Sequence, residues 1–249
     1  MCRIGLVVVV LLSIVFTQDN VYAGDILESP YMAAILFQDW RASEFRYRCN
    51  GAIISVRHVL TTATCAGEVF SFGDIKVRVG SSFHNRGGQI YSVEAKRKHF
   101  KFSPDLDADI AVLQLSQQLK LCYRIAVVNL PEQDAMIYGS WSNAKVVYYT
   151  DDKSLEPFSD SLVHIPELKY ITNHVCNSHF RKETPFQDLV TENMICVGLF
   201  NHNLINFEPR GALLVLNGTV YGIYSWDRTS SDSPSVFTRV SAFSKWIKN

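Results

Sequence analysis

Three groups of residues in this chain could do chemistry by their types and spacing. His174, Cys176 and His179 offer nitrogen and sulfur donors of the kind that bind zinc. The run 96–101, Lys-Arg-Lys-His-Phe-Lys, is the one local basic cluster, and it fits either a glycosaminoglycan or anionic lipid site or a solvated loop. Asn217 begins an Asn-Gly-Thr tripeptide, which is an acceptor for N-linked glycosylation and also suits a tight turn.

The composition excludes some classes of function. The 249 residues include 24 Lys+Arg and 24 Asp+Glu, a formal net charge of zero. The chain therefore has no field of one sign to attract nucleic acid or an anionic membrane. With 47% hydrophobic and 19% charged residues, it can bury a sizeable core, so we expect neither disorder nor a fibre.

The first 23 residues have the pattern of a secretory signal peptide. A short basic start is followed by apolar sequence from residue 4 to residue 16, and small or apolar residues close the segment at Ala23. The apolar stretch is shorter than the roughly 20 residues that span a bilayer, which disfavours a membrane anchor. We expect cleavage after Ala23, secretion, and no membrane span.

Short runs rich in β-branched or aromatic residues recur between turn signals. They occupy 52–55, 75–79, 110–115, 145–149 and 212–216. This spacing favours an all-β sandwich or barrel. The Asn-Gly pair predicts a hairpin between the last run and the one that follows it. Only the C-terminus has a helical pattern, with apolar residues three and four apart from Val240 to Ile247.

Longer segments place several motifs in a fixed order. Residues 49–54 read Cys-Asn-Gly-Ala-Ile-Ile and lead to Val-Leu-Thr-Thr-Ala-Thr-Cys at 59–65. Residues 107–115 read Asp-Ala-Asp-Ile-Ala-Val-Leu-Gln-Leu, and 208–215 read Glu-Pro-Arg-Gly-Ala-Leu-Leu-Val. In this order they resemble the trypsin/chymotrypsin family of serine proteases, which has C-G-G-S-L-I, V-L-T-A-A-H-C, D-x-D-I-A-L-L-x-L and G-D-S-G-G-P-L-V.

The resemblance covers nearly the whole mature chain and implies its architecture. The expected fold class is all-β, with two antiparallel six-stranded Greek-key β-barrels packed together and a short C-terminal helix. We expect one domain at 24–249, with barrel one at about 24–130, barrel two at about 131–238 and the helix at about 240–248.

The resemblance also implies that the catalytic triad is incomplete. The family needs a serine nucleophile, a histidine base and an aspartate that holds the histidine. Here the matching positions hold Arg210, Thr64 and Asp109. Threonine has no group that titrates near neutral pH, and arginine stays protonated and cannot attack a carbonyl. We expect Asp109 to be a buried structural carboxylate, and Arg210 either to bind a partner's carboxylate or to lie in the cleft, where it covers Asp109 or reaches solvent.

The positions that support catalysis in the family are altered as well. Pro209 replaces the aspartate that pairs with a new N-terminus, and Glu208 replaces a glycine of the oxyanion hole. In the specificity pocket, Asp227 and Ser235 replace glycines, and the base of the pocket, near Leu204, offers no acidic residue.

The cysteine pairs are also implied by the resemblance. The family pattern pairs Cys49 with Cys65 and Cys176 with Cys196, which leaves Cys176 no thiolate for a metal. We therefore expect no metal and no cofactor. Cleavage after Ala23 leaves five cysteines, so one remains over. That one is Cys122, either a free buried thiol or the link of a covalent dimer.

Taken together, the sequence predicts a secreted, non-catalytic serine protease homologue, glycosylated at Asn217. It would bind an extracellular protein partner, a protease, inhibitor or receptor, as decoy, cofactor or regulator. Degenerate relatives in animals, especially insects, act in immune cascades, seminal fluid or saliva. The alternatives are an active endopeptidase with an unusual site, and a glycosaminoglycan or lipid binder that uses the run 96–101.

Overall fold

The structure, a computed structural model, describes residues 22–39, 43–67, 73–103, 105–135, 141, 143–151, 159–166, 168–181, 189–198, 209–227 and 233–249. The strands in these residues are β1 (Tyr22–Ala23), β2 (Met32–Asp39), β3 (Arg46–Ile53), β4 (His58–Thr61), β5 (Gly73–Val79), β6 (Gln89–Lys98), β7 (Ala111–Leu115), β8 (Ala144–Tyr149), β9 (Leu162–Ile165), β10 (Lys169–Ile171), β11 (Met194–Gly198), β12 (Leu213–Leu216), β13 (Thr219–Trp226) and β14 (Ser235–Arg239). The helices are α1 (Ala63–Ala66), α2 (Asn173–Phe180) and α3 (Ser244–Lys248), the last preceded by a 3-10 turn at Val240–Phe243.

The first six long strands close into a barrel in the order β2-β3-β4-β7-β6-β5. Strand β5 shows why, because Ile75, Val77 and Val79 are buried and alternate with more exposed polar residues. This period of two puts one face of each strand inside the barrel. The trypsin-like all-β fold is thereby confirmed in its first half.

The second half is a sheet of eight strands in the order β1-β9-β8-β12-β13-β14-β11-β10. It differs from the expected six-stranded barrel by the two short edge strands, β1 and β10. Pro166 separates β9 from β10, and proline has no N–H to donate to a ladder. In the part of the chain that the structure describes, those two edge strands are not paired with each other.

The two halves share one core. Met32, Leu60 and Ile110 of the barrel pack in the same buried cluster as Tyr149 and Ile223 of the second sheet. This apolar cluster crosses the boundary and packs the two halves against each other.

Two short helices lie outside the predicted helical region, and the expectation of a single helix at the C-terminus is wrong. The N-cap of α1 is Thr62, whose hydroxyl accepts a hydrogen bond from Cys65 N. The N-cap of α2 is Thr172, whose hydroxyl accepts one from Val175 N. A threonine N-cap was the available signal in both. None of the helices in the described residues is long and apolar enough to cross a membrane.

The C-terminal helix is present at Ser244–Lys248 and is joined to the barrel by Arg97. The Arg97 guanidinium donates to the carbonyl oxygens of Trp246 at 2.9 Å and Ile247 at 3.3 Å. These carbonyls have no partner within the helix, so Arg97 caps its end. One member of the basic run thus has a structural role.

The start of the described chain is held by His164 on β9. The Tyr22 hydroxyl lies 3.2 Å from His164 Nδ1, and the two rings meet edge to face. Tyr22 and Ala23 pair with His164 and Val163 in the β1–β9 ladder. Burial, together with the charge of Lys145, lowers the pKa of His164 to about 4, so the ring is neutral at neutral pH.

We expect the secreted chain to retain Tyr22 and Ala23, although the sequence pattern puts the cleavage after Ala23. That cleavage would remove β1 and create an α-amino group, with a pKa of about 8, at the buried Gly24 N, which donates to Leu162 O at 2.8 Å. N-terminal sequencing of the secreted protein checks this. A chain that begins at Gly24 would show that β1 is dispensable.

Candidate functional site

The centre of the site is the carboxylate of Asp109, which has no exposed surface. Its Oδ1 accepts a hydrogen bond from Thr64 N at 2.8 Å. Its Oδ2 accepts from Thr64 Oγ1 at 3.1 Å and from Ser225 Oγ at 2.7 Å. The structure thus brings the predicted residues Thr64 and Asp109 into direct contact, with the threonine hydroxyl as a donor to the carboxylate.

Local structure positions each partner of Asp109. Thr64 lies in α1, which the Cys49–Cys65 disulfide joins to β3. Its hydroxyl also lies 2.8 Å from the hydroxyl of Thr62, the N-cap of that helix. Ser225 comes from β13 in the second sheet. The carboxylate therefore joins the two halves of the fold.

Burial dominates the electrostatics of this carboxylate. It raises the pKa of Asp109 above its ordinary value, although hydrogen bonds from Ser225, from Thr64 and from the backbone near Ala63 oppose the rise. The hydroxyls and amides that surround it carry no charge. Among the described residues, these hydrogen bonds are the contacts that stabilise the ion.

The second part of the site is the turn that carries Arg210. Its side chain is exposed, whereas Pro209 and Gly211 on either side are buried. Asn50 donates to the carbonyl oxygen of Arg210 twice, from its backbone N at 2.8 Å and from Nδ2 at 3.1 Å. Asn50 O in turn accepts from Thr61 Oγ1 at 2.8 Å. The main chain of the turn is thereby linked through β3 to β4, the strand that precedes α1.

Gly211 is required by this close approach. Its φ is +74°, and a Cβ built there would lie 2.3 Å from Asn50 O. No other residue fits without moving the backbone.

The structure describes two of the residues at the family's specificity-pocket positions, Asp227 and Ser235. Ser235 is buried in β14, opposite Val197 of β11, and Asp227 is half-buried just after β13. Leu204 and Glu208 lie outside the described residues, so their assignments stay predictions.

Both expected disulfides are present, Cys49–Cys65 and Cys176–Cys196. The expectation that Cys122 is unpaired is wrong, because Cys122 is also disulfide-bonded; its partner lies outside the described residues. An unpaired cysteine was inferred because cleavage after Ala23 removes Cys2 and leaves an odd number, five.

The other candidate residues are dispersed. His174 and His179 lie on α2 with Cys176, whose sulfur is in a disulfide. No group of three or more His, Cys, Asp or Glu side chains in the described ranges could hold a metal ion. In the basic run, Lys96 and Lys98 are exposed on β6.

Sequence reasoning missed two residues of the site, Ser225 and Asn50. Ser225 and Trp226 match the Ser-Trp pair of a further family motif, V-G-I-V-S-W-G, and that pair was the available signal. Asn50 directly follows Cys49, where the family pattern has glycine, and only the fold shows which carbonyl it reaches.

The chain belongs to the trypsin family, whose model matches residues 19–247. Alkaline trypsin B of Manduca sexta is 30% identical over 236 residues, with 90% of this chain and 87% of that protein covered. Tissue-type plasminogen activator of Homo sapiens is 29% identical over 248 residues, with 91% of this chain covered.

The chain spans only 43% of the length of that plasminogen activator. Among solved structures, the scabies mite inactivated protease paralogue S-D1 superimposes with a TM-score of 0.77. It is 21% identical, with 93% of this chain and 96% of that chain covered. At this identity the likeness concerns the fold.

We expect the ionisation of Asp109 to cost stability as pH rises. Because its folded pKa is raised, the folded state binds more protons between the unfolded pKa and the folded pKa, so the free energy of unfolding falls across that window. Asp109→Asn has no such titration. Urea unfolding from pH 3.5 to pH 7 should therefore show wild type losing stability relative to Asp109→Asn.

A second variant, Asp109→Ala, is compared with wild type in its free energy of unfolding at neutral pH. It leaves Thr64 N and Ser225 Oγ without their acceptor, at about 1–3 kcal/mol for each buried group. Parallel pH profiles for wild type and Asp109→Asn would contradict the assigned direction of the pKa shift.

Proposed function

We propose that this trypsin-family protein is catalytically inactive and acts outside the cell by binding a protein partner. The observation that carries the proposal is the contact of Asp109 with Thr64. In the family's mechanism, this carboxylate orients a histidine base. Here its oxygens accept from the backbone and hydroxyl of Thr64, neither of which can take a proton from a nucleophile at neutral pH.

The turn at Arg210 supports the same proposal. An arginine side chain cannot serve as a nucleophile, because it stays protonated and has donors only. Pro209 is buried beside it and has no carboxylate to pair with a new N-terminus. An active hydrolase would therefore have neither a base nor a nucleophile at the positions that the family uses.

The exposed Arg210 side chain is suited to binding. A guanidinium presents five donors in a planar fork that matches a carboxylate. The carbonyl oxygen of Arg210 accepts hydrogen bonds from Asn50 N and Asn50 Nδ2, so the side chain projects from a turn whose main chain is held in place. We infer that a carboxylate of the partner contacts Arg210.

Secretion and glycosylation belong to the proposal. The disulfides that the structure contains are typical of an oxidising compartment. Asn217 is exposed at the tip of the β12–β13 hairpin, where a glycosylation acceptor is accessible.

The test is affinity capture from the fluid into which the protein is secreted, followed by binding measurements on the purified partner. Arg210→Ala should weaken binding about tenfold or more, as expected for a central charged contact. Arg46→Ala is the matched control, because Arg46 is an exposed arginine on β3. Equal affinities for the two variants would remove Arg210 from the interface.

A double reversion tests how far catalysis is lost. We expect Thr64→His with Arg210→Ser to fold and to be secreted, yet to hydrolyse no peptide ester above background. Triad groups act as a unit and depend on their surroundings. Loss of one oxyanion donor costs about 10²–10³ in rate, and Pro209 still cannot pair with a new N-terminus.

Ester turnover and circular dichroism of the double variant are the measurements. Activity within about a hundredfold of an ordinary trypsin-like enzyme would show that the supporting groups are intact. The protein would then be a recently disabled protease.

A further inference from the structure

A cavity of about 270 Å³ opens on the second sheet and contains none of the triad positions. Its aromatic wall is formed by Trp141 and Tyr170, whose rings stack with centroids 5.2 Å apart and planes 20° apart. Met194 and Ile195 form a buried apolar floor. Because the two rings brace each other, this wall is preformed.

Polar groups line the same cavity beside the aromatic wall. Asn173, Glu192 and Arg239 contribute an amide, a carboxylate and a guanidinium. The Arg239 side chain is fixed by a bond from its Nε to Glu192 O at 2.7 Å. An occupant that matches this lining has an apolar face and several hydroxyl groups, and it needs no net charge.

Two short stretches of chain connect the glycosylation acceptor with lining residues of this cavity. Asn217 Oδ1 accepts from Asn143 Nδ2 at 3.4 Å, and Asn143 is two residues from Trp141. Tyr221, another lining residue, lies on β13 two residues beyond Thr219, roughly 7 Å along the strand. The acceptor is thus connected to Trp141 through Asn143, and to Tyr221 along its own chain.

The turn itself leaves space for a modification. Asn217 and Gly218 have φ values of +49° and +73°, and no atom lies within 4 Å of a Cβ built at Gly218. The bond to Asn143 uses Oδ1 of Asn217, whereas an oligosaccharide is attached to Nδ2. The attachment atom is not the one that Asn143 holds.

We propose that the N-linked oligosaccharide on Asn217 folds back and seats its inner sugars in this cavity, against Trp141 and Tyr170. The C–H groups of a pyranose face carry partial positive charge and pack on the negative face of an aromatic ring. The sugar hydroxyls bind the amide and charged groups around it. The inference depends on glycosylation of Asn217 and is independent of whether the protein is catalytic.

The test compares the glycoprotein with and without the aromatic wall. An endoglycosidase that cleaves between the two inner N-acetylglucosamines is applied to the folded protein, made in a eukaryotic secretory host, as wild type and as Tyr170→Ser. Tyr170 is 40% exposed, so its truncation leaves the core intact. A seated oligosaccharide is shielded, and we expect cleavage to be about fivefold faster in Tyr170→Ser.

Thermal unfolding gives the second measurement. Trimming should lower the Tm of wild type by about 2–4 °C and should leave the Tm of Tyr170→Ser unchanged. Tyr123→Ser, at an aromatic residue 52% exposed elsewhere on the surface, is the matched control and should behave as wild type. Glu192→Ala, on the rim of the cavity, repeats the test without touching the aromatic wall.

Peptide mass measurement first establishes whether Asn217 is modified. An unmodified Asn217 would overturn the proposal, as would equal cleavage rates for wild type and Tyr170→Ser. Neither result bears on Arg210 or on the loss of catalysis.

Discussion

The buried carboxylate of Asp109 joins the two halves of this structure. Asp109 accepts hydrogen bonds from Thr64 on the barrel and from Ser225 on the second sheet, and its carbonyl oxygen accepts from Thr238 at 2.9 Å. Burying a charge is costly unless donors surround it. The position of the two halves relative to each other at this carboxylate depends on donors from both being in place together.

Much of the fold could be predicted because its signals are local. The run predicted at 75–79, which lies in β5, and the Asn-Gly turn of the β12–β13 hairpin depend on neighbouring residues, and both predictions are confirmed. The helix α1 has four residues, too few to show a period, and β1 has two. Such elements form because tertiary contacts hold them, and sequence patterning carries little trace of them.

The sequence singles out candidate site residues, but it does not show the hydrogen bonds that they make. The motifs single out Thr64 and Asp109, each within one segment, and the structure brings the two residues into contact. Ser225 and Asn50 act on residues more than 100 positions away, at Asp109 and Arg210. Residue type alone does not reveal such partners. The cysteines show the same limit, because Cys122 is disulfide-bonded to a partner that the motifs do not indicate.

The bonds from Asn50 to the carbonyl of Arg210 separate the shape of a loop from its side chain. The turn is held by main-chain atoms, by the proline before it and by the glycine after it, and none of these contacts involves the guanidinium. A substitution at position 210 therefore leaves these main-chain contacts in place. A saturation library there would vary recognition while the main chain of the turn stays held.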